Sequence, residues 1–414
     1  MTCPFAHHDA SVTLSDDLMC QEVIDDPHSY YRGLREAEPV HWNERWGGWV
    51  LTGYDDVVTV LRDREHFSSD RMGFLARELP AEKQADYKPI FDVLSQWMVF
   101  RDPPDHTRLR ILLNKFFTPK AVEAFRPRVR GIVNDLLDDL APKGRMDVVR
   151  DFAYLTPLTV ILELLGAPSL DRDLIKEWSE QIGVFFFIRA DMPERRAIAC
   201  EGVKSMCEYL QPLVEERRRK PQDDLLSVLV QAEKEGGLSE QEVISTAVLL
   251  VFGGHETTMN LIANGALALI QHPEAWTQLN HHPDLVPSAV EELLRYDGSV
   301  KATVRWARED VDLGGTTIKG GDRLLVALSA ANRDPAQFAN PDTLDITRSP
   351  NPHVAFAHGI HVCLGAPLAR MEGQEAFAAL TRRITNPRVA AEELHYFPTV
   401  VSRALKELPV EFDT

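Results

Sequence analysis

The sequence predicts a mainly α protein with small β-sheets near both ends of the chain. Three observations predict it. Between residues 105 and 297, apolar residues recur at helical spacing with charges between them. Residues 239–270 contain no proline and would form a helix about 48 Å long. Short β patterns broken by glycine pairs occur near the start of the chain and again from residue 300 onward.

The elements follow in order. His41-Trp42 and residues 49–52 read as two strands around a Gly47-Gly48 turn. Residues 122–140 and 204–219 read as amphipathic helices. Ser239 and Glu242 form a capping box at the start of the long helix, and Pro273 follows its end. The first half of that helix, with Val248-Leu249-Leu250-Val251-Phe252, is apolar nearly all round and belongs inside a large core. Asp312-Leu313-Gly314-Gly315 and Leu324-Leu325-Val326 return to strand and turn. A last helix begins near Ala366 and runs to Leu380.

The chain has 414 residues, which favours two or three domains as a prior. No repeat, low-complexity stretch or long Gly/Ser linker divides it, so one domain over 1–414 is expected. Hydrophobic residues at 44% and charged residues at 26% exclude a disordered, collagen-like or disulfide-scaffold chain. The 45 basic residues face 63 acidic ones, for a net charge of −18 that repels nucleic acid and anionic lipid. Cys3, Cys20, Cys200, Cys207 and Cys363 contain no CxxC pair, which argues against a disulfide framework or zinc ribbon. Residues 1–26 are acidic and lack an apolar run, so no signal peptide is expected. No stretch reaches the roughly 18 apolar residues of a membrane span. A cytoplasmic protein in a reducing compartment is expected.

Four segments carry candidate chemistry. Gly253-Gly254-His255-Glu256-Thr257-Thr258 interrupts the apolar helix with glycines, an acid and hydroxyls. Mid-helix glycine costs about 1 kcal/mol relative to alanine, and two suggest a bulge or a close ligand approach. A buried acid beside a hydroxyl suits proton delivery, although a satisfied core glutamate is the plainer reading. The segment is no H-E-x-x-H zinc site, because residue 259 is Met. In Phe356-Ala357-His358-Gly359-Ile360-His361-Val362-Cys363-Leu364-Gly365, one cysteine precedes a helix, whose N-terminus should lower the thiol pKa. A structural cysteine, or a nucleophile paired with His361 or His358, is the competing reading. Glu292 and Arg295 meet on one helix face, as ordinary surface ion pairs also do. His106 and Arg110 share a face and suit ligand carboxylates, or simply form a solvated basic helix start.

In this order and spacing, the four segments resemble the cytochrome P450 family, most closely its soluble bacterial monooxygenases. Phe356, Gly359, Cys363 and Gly365 match F-x-x-G-x-x-x-C-x-G, and Glu292 and Arg295 match E-x-x-R. Arg348 sits where the family places a third charge. Gly254, Glu256 and Thr257 match the oxygen-activation segment. The resemblance implies one large helical domain binding haem b (iron protoporphyrin IX). It implies that Cys363 is the thiolate ligand and that His106, Arg110, Arg305 and His361 contact the propionates. Glu292, Arg295 and Arg348 would brace the Cys loop. Thr257 and Glu256 would serve oxygen activation and proton supply. Two departures stand out: Ala357 where Gly is commoner, and Gly298-Ser299-Val300-Lys301 where many relatives have a proline. Lys301 is expected to reach solvent, with the substrate cavity as the alternative.

With no G-x-G-x-x-G fingerprint and no fused reductase, electrons are expected from a ferredoxin and its NAD(P)H-dependent reductase. Arg108, Lys115 and Lys120 are candidates for docking it. A monomer is expected, acting on a moderately sized, largely apolar small molecule that it hydroxylates or epoxidises. Three regions should line the cavity: 71–100 with Trp97, Met98 and Phe100; Phe185-Phe186-Phe187; and 300–304. Other readings are peroxygenation, phenol coupling or nitration on the same fold, a haem sensor, and remotely a cysteine hydrolase.

Overall fold

The computed structural model describes residues 15–186 and 193–413, so Cys3 and Phe187 lie outside the described residues. The helix over Glu240–Gln271 is the axis of the molecule. Its capping box forms as expected: Ser239 Oγ accepts from the Glu242 N–H at 3.2 Å, and Glu242 Oε2 accepts from the Ser239 N–H at 2.8 Å. Val243, Ala247, Val248 and Val251 bury against Leu158 and Leu162 of the Leu155–Leu165 helix and Met206 of the Pro193–Arg219 helix. Further along, Leu261, Ile262 and Ala266 join a second cluster with Val133 of Pro119–Leu140, Leu293 of Val286–Asp297 and Phe377 of Ala366–Arg383. Each fully buried aliphatic side chain contributes about 1.5–3 kcal/mol. One helix therefore ties two cores together.

The expected bulge at Gly253-Gly254 does not form, and the helix stays α through both glycines. The packing explains this. A Cβ at Gly254 would meet Ile161 at 2.9 Å, so the helices touch there and leave no room for an extra residue. Thr257 Oγ1 donates back to the Gly253 carbonyl at 3.2 Å, keeping the turn closed.

Among the described residues, ten strands make three sheets. β1 (Val40–Asn43), β2 (Gly48–Leu51) and β3 (Phe67–Ser68) precede the helical region. β4 (Arg145–Asp147) lies within it, where the sequence suggested only helix. β5 (Thr303–Ala307), β6 (Val311–Leu313), β7 (Thr316–Ile318), β8 (Arg323–Val326), β9 (Thr385–Val389) and β10 (Pro409–Asp413) follow. The largest sheet has the order β1-β2-β8-β5-β3, so strands from the two ends form one sheet. β2 and β8 run parallel and the other pairs of that sheet antiparallel. Sheet β4-β10-β9 closes the C-terminal end. β6 and β7 form a hairpin whose turn residues Gly314 and Gly315 have φ of 57° and 82°.

The E-x-x-R helix is fixed by a buried ionic network rather than a surface pair. Glu292 is 0% and Arg295 1% exposed. Arg295 donates to both Glu292 carboxylate oxygens at 2.8 Å, and Arg348 adds bonds at 3.1 and 3.2 Å. The Asp345 N–H (2.9 Å) and Asn351 Nδ2 (3.2 Å) complete the carboxylate's shell. Arg295 also donates to the carbonyls of Asn332, Pro341 and Thr343. The network pins the irregular chain that leads into the Cys segment. Removing one partner of such a network strands buried charge, so Glu292→Ala is expected to cost about 3–5 kcal/mol. The denaturant midpoint measures it, and a loss under about 1 kcal/mol, the worth of a surface pair, would contradict the reading.

Candidate active site

A cavity of about 310 Å³ lies between the central helix and the Cys segment. Gly253, Gly254 and Thr257 line it from the helix. Phe356, Ala357, His361, Cys363 and Gly365 line it from the Cys segment, and Arg110 and Arg305 complete one edge. A Cβ at Gly253 would meet nothing closer than Leu249 at 3.9 Å, so the open side of the helix is at Gly253 and its packed side at Gly254.

The Cys segment is folded tightly by its own backbone. The Cys363 N–H donates to the Phe356 carbonyl at 2.9 Å. Gly365 has no atom within 4 Å of its Cβ position, so the chain runs open to the cavity there. Gly359 meets a packing need of the backbone. Its φ is 71°, and a Cβ would meet the Leu61 carbonyl at 2.4 Å, so it packs the segment onto the Tyr54–Arg62 helix. Ala357 has φ of 59°, a left-handed conformation that glycine adopts without cost. The preference for Gly at this position thus has a backbone cause.

Cys363 presents its surface to the cavity. The expected lowering of its thiol pKa does not occur. Enclosure pushes it up, and the Gly365 and Ala366 N–H groups with Arg110 and Arg370 only partly offset that. No histidine is hydrogen-bonded to it among the described residues. His358 faces Arg62 at 3.1 Å instead, and burial with Arg305 beside it holds His361 down at about 2. The nucleophile–base pairing is therefore not assembled.

Along one edge, His106 and His361 stack with ring centroids 4.2 Å apart, beside Arg110 and Arg305. His106 is 2% exposed, and neither of its ring nitrogens nor His361 Nε2 has a partner. Burial lowers all four groups, and their mutual repulsion lowers His106 and His361 further; Arg305 falls to about 10. Among the described residues those histidine nitrogens lack acceptors, and Arg110 and Arg305 reach only neutral groups, such as the Val362 carbonyl at 2.6 Å and the Val304 carbonyl at 2.8 Å, so a basic edge with no ion-paired carboxylate calls for an anion from outside the chain. The pair of carboxylates on a haem fits that need, and a lone cysteine facing the same cavity fits a single protein ligand to iron. Among the described residues, no group of three or more His, Cys, Asp or Glu could hold a metal ion by itself.

Glu256 does not line the cavity, although the next residue, Thr257, does. Burial and then Glu180 push Glu256 up to about 7. His255 is buried and held near 4 by desolvation, with Nδ1 on the Val251 carbonyl at 2.7 Å. Met98, Val99, Ser299, Val300 and Thr303 line the cavity, while Trp97, Phe100 and Phe186 cluster with Phe252. Lys301 takes neither course expected of it. It is 3% exposed and faces Asp297 and Arg403, and burial followed by Arg403 lowers it to about 7. Its backbone N–H donates to the Val401 carbonyl at 2.7 Å, and Lys301 is not among the residues that line the cavity. Arg108 is already engaged by Glu242 and by the Gly237 carbonyl, so Lys115 and Lys120 are the exposed charges of the expected docking trio.

Two functional carboxylates escape sequence reasoning. Glu372, on the Ala366–Arg383 helix, is 0% exposed, lines the cavity and has no partner for either oxygen. Burial raises its pKa well above the usual carboxylate range. Glu291 holds Arg370 at 2.7 Å and His353 at 3.0 Å, joining the E-x-x-R helix to the Cys-side helix. Burial raises its pKa, but these two partners outweigh burial and hold it near 2. A polar residue on an otherwise apolar helix face was the available signal for Glu372.

Comparison with known proteins agrees with this geometry. The family description "Cytochrome P450" matches residues 48–385. The chain is 39% identical over 408 residues to a biotin biosynthesis cytochrome P450 of Bacillus subtilis, covering 97% of this chain and 100% of the relative. It is 42% identical to cytochrome P450 CYP107DY1 of Priestia megaterium, covering 96% of this chain and 98% of the relative. The solved structure of P450BioI in complex with hexadec-9Z-enoic acid ligated acyl carrier protein superposes with a TM-score of 0.87 at 39% identity, covering 95% of this chain and 99% of that one. Among the described residues, no helix is long and apolar enough to cross a membrane. The chain belongs to the cytochrome P450 family and is a haem–thiolate monooxygenase.

Proposed function

We propose that this chain is a single-domain enzyme that hydroxylates or epoxidises a moderately sized, largely apolar small molecule. In this reading Cys363 would hold haem b as its thiolate ligand. His106, Arg110, Arg305 and His361 hold the propionates, and Phe356, Gly359, Gly365 and Gly254 shape the surrounding slot. When bound, the cofactor supplies reductive activation of dioxygen and transfer of one oxygen atom to the substrate. The observation that carries the reading is the basic edge of Arg110, Arg305 and His361, with no ion-paired carboxylate among the described residues, in the same cavity as Cys363 and Thr257.

The chain's own residues then have separable tasks. Neutral His106 and His361 donate N–H bonds, while Arg110 and Arg305 supply charge that the propionates neutralise. Thr257 presents a hydroxyl at the cavity and is oriented by the Gly253 carbonyl. Glu256, beside it, holds a proton near neutral pH because its site is desolvated. Met98, Val99, Leu249 and Leu250 offer the guest an apolar surface, and Trp97, Phe100, Phe186 and Phe252 pack together behind it. Electrons come from a ferredoxin and its NAD(P)H-dependent reductase, with Lys115 and Lys120 in the docking surface. The relative holding a hexadecenoyl chain supports an apolar guest.

Turnover with a ferredoxin, its reductase, NADPH and isotopically labelled dioxygen tests the reading. One labelled atom per product is expected, and turnover confined to added peroxide would contradict it. Thr257→Ala should lower product per dioxygen consumed by about tenfold or more with the haem spectrum unchanged; equal coupling would remove Thr257 from the mechanism. Glu256 is protonated below about 7 and ionised above it, so coupling should fall as pH rises through that value. Glu256→Gln should lower coupling at every pH and abolish the inflection, and an unchanged profile would count against Glu256.

A further inference from the structure

One half-buried charge has no use in the reaction described above. Arg71 opens the Arg71–Glu78 helix. Its guanidinium lies over the Phe186 ring, with Cζ 5.2 Å from the centroid. Among the described residues it has neither an ion pair nor a hydrogen-bond acceptor. Asp70, its neighbour in sequence, is spent on the helix cap and accepts from the Gly73 N–H at 2.8 Å. The nearest charge that bears on Arg71 is another cation, Arg323, whose own donors go to the carbonyls of Trp46 and Gly47. Desolvation and then Arg323 lower Arg71 to about 10, which leaves it charged at neutral pH. The enclosed arginines are matched: Arg217 to Asp224, Arg295 to Glu292 and Arg333 to Asp342. Arg305 is the exception, and it faces the propionate edge.

The position of Arg71 gives this mismatch a meaning. Phe186 packs on Trp97, Phe100 and Phe252 with centroids 5.9, 5.8 and 5.5 Å away. Phe252 precedes Gly253, and Met98 and Val99 lie between Trp97 and Phe100; all three of Gly253, Met98 and Val99 line the cavity of Cys363. An aromatic wall one residue behind the cavity lining thus ends at a guanidinium that, among the described residues, lacks an anion. We propose that Arg71 binds the anionic head group, carboxylate or phosphate, of an amphipathic substrate whose apolar body lies along this wall. The proposal rests on the monooxygenase reading and narrows its substrate class. A guanidinium pairs with either anion through two parallel N–H bonds, and cation–π contact with Phe186 holds it ready.

The test titrates the haem-loaded protein with dodecanoate, dodecyl phosphate, methyl dodecanoate and dodecanol. Binding is read by the shift of the Soret band and by calorimetry. At least one anion should bind about tenfold more tightly than its neutral counterpart. The tighter of the two assigns the head group. Arg71→Gln should abolish the preference while changing the affinity for the neutral probes less than about twofold, and Arg71→Lys should restore part of it. No preference in the natural protein, including no binding of any probe, would overturn the proposal. So would a preference that survives Arg71→Gln. Loss of the thiolate signature from the carbon monoxide spectrum would instead overturn the haem–thiolate reading, so the two failures are distinguishable.

Discussion

The buried carboxylate of Glu292 is the constraint on which the site depends. Burial of a charge is tolerable only when its hydrogen-bonding capacity is met. Here two guanidinium groups, a backbone N–H and a side-chain amide meet it. Those donors belong to the Val286–Asp297 helix and to the irregular chain between residues 340 and 352. The Cys segment follows directly. Glu291, one residue earlier, holds the helix on the other side of that segment through Arg370. Adjacent acids on one helix therefore clamp the cysteine loop from its two flanks.

Against that satisfied frame, the cavity is conspicuously unsatisfied. His106, His361 and Glu372 keep buried polar atoms without partners, and Arg71 keeps a charge without an anion. The Glu292 network pairs its buried charges, whereas the basic edge and Arg71 have no ion pair among the described residues. The unmet groups also differ in kind. The basic edge beside Cys363 suits the acidic margin of a cofactor. The lone guanidinium at the far end of the aromatic wall suits a substrate.

Much of this was legible in the sequence because it is local. The capping box of Ser239 and Glu242, the glycine turn of the β6–β7 hairpin and the E-x-x-R spacing each need only a few consecutive residues. Cys363, Thr257 and Arg110 were found by motif, and they line one cavity. What was missed is set by distant contacts. The stacking of His106 on His361, the union of β2 with β8 and the hold of Val401 on Lys301 join residues far apart in the chain. The bulge expected at Gly253-Gly254 failed for the same reason. Local propensity favours distortion there, but Ile161 packs against Gly254 and overrides it. The thiol of Cys363 repeats the lesson, since enclosure outweighs the nearby helix N-terminus.

The central claim is that the sulfur of Cys363 is the protein's bond to iron. Purified protein, reduced and exposed to carbon monoxide, measures this directly through the position of its Soret band. The account predicts the red-shifted band of a thiolate-bound haem, and its replacement by an unshifted band in Cys363→His. A natural protein without the shifted band, or a variant that keeps it, would contradict the account.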